Sequence, residues 1–337
     1  MSELADTARA MVAPGRGILA ADESSPTIKK RFDSIQVEST EENRRAYREL
    51  LFSAPGAEEY ISGVILFDET IRQCTADGTA FPALLASKGI LPGIKVDTGA
   101  VNLAGAPGEK VTQGLDGLRD RLVEYRGLGA RFAKWRAVIN IGDGIPSDYC
   151  LGVNAHALAR YAALCIEGGI VPIVEPEVIM DGPHDIDRCY EVTERALRRV
   201  FDALYEQRVN ANEIILKPNM VLSGSECASQ AGVSEVALAT LRCFRNAVPA
   251  EVPGIVFLSG GQSDELATAH LSAMNQLGDA PWKLSFSYGR ALQAAPLRVW
   301  GGDAGNVEAA QRALLHRARC NAAACGGTYT PAMEEAA

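Results

Sequence analysis

Eight short apolar runs recur along the chain, at Gly17–Ala21, Gly63–Phe67, Ile90–Val96, Phe132–Ile141, Ile170–Val174, Ile214–Leu216, Ile255–Leu258 and Leu284–Tyr288. Runs this short, rich in Ile, Val, Leu and Phe, read as strands buried on both faces. Between them lie stretches of helical period, among them Glu41–Ser53, Gly117–Leu128, Asn154–Glu167, Asp187–Glu206, Ser234–Asn246 and Asp264–Leu277. Strands that alternate with helices predict a parallel sheet. Eight such units predict a closed (β/α)8 barrel, a TIM barrel, rather than an open sheet, as one α/β domain over residues 1–337. Segments around Pro92 and Pro107 read as loops. Gly301–Tyr329 reads as a last helix plus a turn, and Thr330–Ala337 as a loose tail.

Polar residues punctuate the same end of nearly every run. The first run ends in Asp22, Glu23 and Ser24, and the second in Asp68 and Glu69. The third carries Lys95 and Asp97, the fourth Lys134 and Arg136, and the fifth ends in Glu175 and Glu177. The sixth ends in Lys217, the seventh in Ser259-Gly260-Gly261, and the eighth in Ser287, Tyr288, Gly289 and Arg290. Side chains alternate across a strand, so Lys134 shares a face with Arg136, Lys95 with Asp97, and Glu175 with Glu177. Any one cluster taken alone reads first as a solvated strand end. A polar cluster at each carboxyl end is what a barrel active site needs.

Lys217 closes the run Ile214–Leu216 and precedes Pro218, which biases it toward extended backbone. A strand-end lysine can snorkel to water. Buried near a second cation such as Lys134, it gives up its proton more readily and becomes a nucleophile toward a ketone, forming a Schiff base. Glu175 is then placed for the proton transfers, and Asp22, across the barrel mouth, for a hydroxyl proton. The natural reaction of such a Schiff base is aldol cleavage or formation of the adjacent carbon–carbon bond. FLSGGQS and FSYGR, after runs seven and eight, offer Ser259, Gly260, Gly261, Ser287, Gly289 and Arg290 to a phosphate. Lys30, Arg31 and Lys95 form a second basic group for another phosphate, with a solvated helix face as the alternative for Lys30 and Arg31.

Composition narrows the partners. Hydrophobic residues make up 47% and charged residues 22%, as in globular proteins. A net charge of −9 argues against nucleic acid or a membrane surface as partner. No run is long enough to span a bilayer, and MSELADTARAMVAPG lacks a signal-peptide core. The eight cysteines form no CxxC pair, which points to reduced thiols in the cytoplasm. His156, His184, His270 and His316 are far apart and lack metal-ligand spacing, so no metal site is expected.

GILAADES, GVILFDET, GIKVD, FAKWR, IVPIVEPE, LKPNM, FLSGGQS and FSYGRALQ together resemble class I fructose-bisphosphate aldolase, from about Pro14 to Pro331. The resemblance implies a (β/α)8 barrel with no metal and no cofactor, usually a homotetramer. It implies reversible cleavage of fructose 1,6-bisphosphate, a phosphorylated sugar, to dihydroxyacetone phosphate and glyceraldehyde 3-phosphate in glycolysis and gluconeogenesis. Carried over by motif, Lys217 is the Schiff-base lysine, Glu175 the proton acceptor, Asp22 the group at the carbon 4 hydroxyl, and Lys134 the residue that positions and polarises substrate. Arg136 and Lys95 line the pocket. Ser259, Gly260, Ser287, Gly289 and Arg290 hold the dihydroxyacetone phosphate end. Ser24, Thr27, Lys30 and Arg31 hold the other phosphate, and Arg44 in EENRR is a substrate-side arginine. Ser25-Pro26-Thr27 departs from the Gly-containing turn of the family, and the chain has no terminal tyrosine. Transaldolase, a one-phosphate sugar aldolase and a catalytically silent binding barrel are the rival readings.

Overall fold

The computed structural model describes residues 2–335. Eight parallel strands close a barrel: β1 (Gly17–Ala21), β2 (Ile61–Leu66), β3 (Leu91–Lys95), β6 (Phe132–Ile139), β7 (Val171–Val178), β8 (Ile215–Leu216), β9 (Gly254–Phe257) and β10 (Lys283–Tyr288), in the order β1-β10-β9-β8-β7-β6-β3-β2. Each expected run coincides with one barrel strand, within a few residues at its ends. Helices cover the outside, the longest being Asp148–Glu167, Ile186–Glu206 and Val307–Cys325. The segment around Pro107 is not simply a loop. It turns an antiparallel hairpin between β4 (Gly99–Asn102) and β5 (Lys110–Gln113), beyond the end of β3.

The amino-terminal half of the barrel interior is apolar. Ile18, Ile65, Phe132, Val171, Ile173, Ile215 and Val256 pack there as one buried cluster. Phe132 fits because its neighbours on β2 and β3 have no side chain. A Cβ on Gly63 would stand 2.9 Å from its ring, and one on Gly93 2.2 Å. A helix over Glu3–Met11, not expected from the pattern, plugs the opening below. Ser2 caps it, accepting from the Ala5 N–H, and Ala8, Met11 and Val12 join the interior cluster. Burying one such Met side chain stabilises the fold by about 1.5–3 kcal/mol. With the lower half filled, the polar strand ends are confined to the carboxyl-terminal mouth.

The tail departs from expectation. Pro331–Glu335 forms a 3-10 helix, and the Glu334 carboxylate is held by Arg317 and by Tyr329, whose hydroxyl donates to it at 2.8 Å. An acidic residue facing a buried guanidinium gives a short tail an anchor that its composition does not reveal. Residues 336 and 337 lie outside the described part.

Candidate functional site

Strand register sets the site. On β6, Lys134 sits opposite Lys95 of β3, and Arg136 opposite Glu175 of β7. β8 is only two residues long, but the Lys217 N–H continues the ladder, donating to Val174 O at 2.8 Å. Pro218 has no N–H to give, and its carbonyl accepts from Leu258 N at 3.2 Å. Asn219, fully buried, locks the next turn: its Oδ1 accepts from Val178 N at 3.0 Å and its Nδ2 donates to Thr193 Oγ1 at 3.1 Å. Lys217 is thus held at the end of its strand by backbone on both sides.

Four charged side chains meet at the floor of the mouth. Lys217 Nζ lies 3.0 Å from Glu175 Oε1, and Lys134 Nζ lies 3.0 Å from Glu175 Oε2. Lys134 also donates to Asp22 Oδ2 at 2.9 Å. All four are buried, Glu175 to 2% exposure and Lys217 to 4%. Burial alone would favour the neutral forms of Asp22, Lys134 and Glu175, yet each is offset by its charged neighbours. Burial pushes the Asp22 carboxyl up, but the ammonium groups of Lys134 and Lys217 outweigh it and hold it well below the usual carboxylate range. Burial likewise pushes Lys134 down, and Asp22 and Glu175 outweigh it, so Lys134 stays a cation far into base. Glu175 is kept below its ordinary value against burial, chiefly by Lys134 and then Lys217. Lys134 does not stand bare against Lys217, as the sequence reading implied. Glu175 sits between the two ammonium groups.

A cavity of about 1100 Å³ opens above this floor. Its lining includes Asp22, Lys95, Lys134, Arg136, Glu175 and Lys217, together with Ser259, Gly260, Ser287, Gly289 and Arg290 and with Ser24, Thr27 and Arg31. Lys95 is paired with Asp97 at 2.6 Å, and Arg136 with Glu177. The Ser287 hydroxyl is buried without a partner, and Ser24 and Thr27 hydroxyls stand 3.1 Å apart. A Cβ on Gly260 would meet the tip of the Met180 side chain, Cε, at 2.5 Å, so a larger residue there would displace that flexible side chain. Arg290 donates to Gln262 O at 2.6 Å, which ties the segments after β9 and β10 together.

Three expected site residues are not in that lining. Helix Ser25–Asp33 buries Ile28 and Phe32. Thr27 and Arg31, four apart, share the face toward the mouth, while Lys30, turned roughly 100° away, is exposed to solvent. Arg44 is held instead in a two-pronged pair with Glu69, at 2.7 and 2.6 Å, and by Ser39 O at 2.6 Å. Gly261 lies one residue beyond the cavity, in an exposed left-handed turn at φ +73°. The two phosphate groups of residues are also closer than their places in the chain imply, since a Cβ on Gly289 would lie 3.5 Å from Arg31 Nη2.

Supporting residues emerge that the strand-end pattern did not name. Glu23 accepts from Arg48 at 2.6 Å and Gln293 at 2.8 Å, and pairs with Arg31 at 2.7 Å. Arg48 and Gln293 sit in helices with no distinguishing local signal. Behind the β9 loop, His270 Nδ1 lies 2.6 Å from Gln262 Oε1, and burial holds the ring down to about 4 from its ordinary 6.5. The unfolded chain takes up this proton first, so the fold loses stability as pH falls from 6.5 to about 4. His270→Gln removes that titration, and its denaturant-unfolding stability should lose on the order of 3 kcal/mol less than the wild type across this window. Parallel losses would mean that His270 does not titrate this way.

The family profile described as fructose-bisphosphate aldolase class-I matches residues 3–337. The chain belongs to the class I fructose-bisphosphate aldolase family. It is 62% identical over 330 residues to a probable fructose-bisphosphate aldolase class 1 of Xanthomonas campestris pv. campestris, covering 98% of this chain and 99% of that one. It is 55% identical over 328 residues to the cytosolic fructose-bisphosphate aldolase 4 of Arabidopsis thaliana, covering 97% of this chain and 84% of that one. The solved Plasmodium falciparum fructose-bisphosphate aldolase, in complex with TRAP and a small-molecule inhibitor, superposes with a TM-score of 0.96 at 51% identity, covering 97% and 95% of the two chains. The aldolase is a lyase that cleaves the carbon–carbon bond of fructose bisphosphate. No helix among the described residues is long and apolar enough to cross a membrane.

Proposed function

We propose that the chain cleaves fructose 1,6-bisphosphate reversibly to dihydroxyacetone phosphate and glyceraldehyde 3-phosphate, through a Schiff base on Lys217 and without a metal. The observation that carries this reading is the Lys217–Glu175–Lys134–Asp22 chain of contacts on the cavity floor. Glu175 takes a proton from Lys217, and the free amine adds to the ketone carbon. Glu175 returns protons as the carbinolamine loses water, leaving an iminium. Asp22, poised by Lys134, accepts the carbon 4 hydroxyl proton as the bond between carbons 3 and 4 breaks. The electron pair moves into the iminium to give an enamine. Protonation and hydrolysis release the second product and restore Lys217. Ser259, Gly260, Ser287, Gly289 and Arg290 hold the ketone-side phosphate, while Ser24, Thr27, Arg31 and Lys95 hold the other. The same proposal takes the chain as one domain acting in glycolysis and gluconeogenesis, as a homotetramer. The cytosolic names of the Arabidopsis relatives support a cytoplasmic place.

Borohydride reduction in the presence of dihydroxyacetone phosphate tests the covalent step. Peptide mapping should find the adduct on Lys217, and an adduct on Lys134 or Lys95 would overturn the assignment. A second measurement addresses the phosphates. Arg31→Ala should lower kcat/KM for fructose 1,6-bisphosphate by roughly ten- to a hundredfold, the scale of one charge-assisted contact. The loss should be smaller with fructose 1-phosphate. An equal loss on both substrates would move Arg31 to the ketone-side phosphate, beside Gly289.

A further inference from the structure

Away from the cavity, three side chains with metal-binding atoms converge on the last helix. His316 and Cys320 stand four residues apart on Val307–Cys325 and so share one face. The tail helix Pro331–Glu335 folds back and sets Glu334 against them. The binding atoms of all three lie within 4.8 Å of one another. His316 Nε2 is 3.4 Å from Glu334 Oε2 and 3.8 Å from Cys320 Sγ. Bonds of about 2.0–2.3 Å to a tetrahedral zinc ion would place such atoms about 3.3–3.7 Å apart. The cluster is close to that spacing already.

We propose that His316, Cys320 and Glu334 form a site for a borderline-soft divalent cation of the zinc class, which cross-links the carboxyl-terminal tail to the last helix. A latch between tail and body needs only the Arg317–Glu334 pair. It does not account for an imidazole nitrogen and a fully buried thiol aimed at the same carboxylate. Sulfur, nitrogen and oxygen donors in a three-ligand set suit zinc or cobalt, with water in the fourth place. Binding replaces the Cys320 S–H bond with a metal–sulfur bond and releases that proton to solvent. His316 coordinates through its Nε2 lone pair. Arg317 and Tyr329, which already donate to the Glu334 carboxylate, then serve as its outer partners, as ligating carboxylates generally keep hydrogen-bond donors. Arg317 is itself fixed by Thr268 Oγ1 at 2.7 Å and Asp264 O at 3.1 Å, so the carboxylate is held from a rigid base. Histidine spacing along the sequence concealed the site, since two of its three ligands are not histidines and one of those two, Glu334, lies beyond the helix.

The probe is Co²⁺ added to the full-length chain, followed by absorption and by competition with Zn²⁺. The wild type should take up one Co²⁺ per chain and show thiolate-to-cobalt charge transfer. Cys320→Ser should remove that band. Glu334→Gln and His316→Gln should each weaken binding tenfold or more, with lyase activity retained as the sign of an intact fold. Glu334→Gln lies on the tail and tests the site even if Cys320→Ser is unstable. Failure to bind, or a band that survives Cys320→Ser and thereby belongs to another cysteine, would overturn the proposal.

Discussion

Lys217→Met should lower cleavage of fructose 1,6-bisphosphate by roughly a thousandfold or more, the scale for loss of a nucleophile. Borohydride should then trap no substrate on the chain. Methionine fills a similar volume at a site whose lysine is 4% exposed, so the barrel wall is kept. Its effect on charge is not innocent. It leaves Asp22 and Glu175 sharing the single ammonium of Lys134. Lys217→Arg separates the two effects. Arginine restores the cation beside Glu175, but it does not give up a proton in proteins and cannot form the Schiff base. Both variants should therefore fail alike. If Lys217→Arg turned over within tenfold of the wild type, Lys217 would be an electrostatic residue and the covalent route would be wrong.

The barrel was legible because two periodicities disagree along the chain. Runs such as Ile170–Val174 are apolar on both faces, and only strands covered by helices outside and packed inside have that need. The floor of the site was legible for the same reason: Lys134 with Arg136, and Glu175 with Glu177, are the charges in strands that are otherwise apolar, where a buried charge is too costly to be incidental. What alternation could not supply was who pairs with whom. Sequence order placed Lys134 beside Lys217 as a bare second cation, whereas strand register puts Glu175 opposite Arg136 and between the two ammonium groups. Arg44 and Lys30 fall outside the cavity lining, since charge type on a helix says little about direction. One residue of phase, roughly 100°, takes Lys30 out of the mouth while Arg31 lines it, and Arg44 finds Glu69 closer to hand. The Glu3–Met11 plug escaped notice because a short mixed-charge segment carries weak helical signal until a barrel opening exists for Ala8 and Met11 to fill.

Glu175→Gln should slow turnover by roughly a hundredfold or more, the usual scale for a lost acid–base group, while leaving substrate binding largely intact. The geometry gives the reason for that split. Glu175 lies at the floor, 2% exposed, and touches both lysines at 3.0 Å, whereas the residues proposed to hold phosphate lie elsewhere in the cavity lining. Glutamine keeps the shape and one oxygen near Lys134, but it can neither take the Lys217 proton nor return one to the departing hydroxyl. It also removes the negative charge between two buried ammonium groups, leaving Asp22 as the one carboxylate in contact with Lys134. Two close cations then favour loss of a proton from one of them. Nucleophilic addition should accordingly survive, and proton transfer should become limiting. Single-turnover experiments can separate the two: addition should stop at the carbinolamine, which borohydride does not reduce, so the trappable iminium on Lys217 should form roughly a hundredfold more slowly than in the wild type while substrate still binds. If kcat were unchanged, Glu175 would have no part in the proton transfers. If the adduct failed to form at all, its role would instead be to hold Lys217 in place.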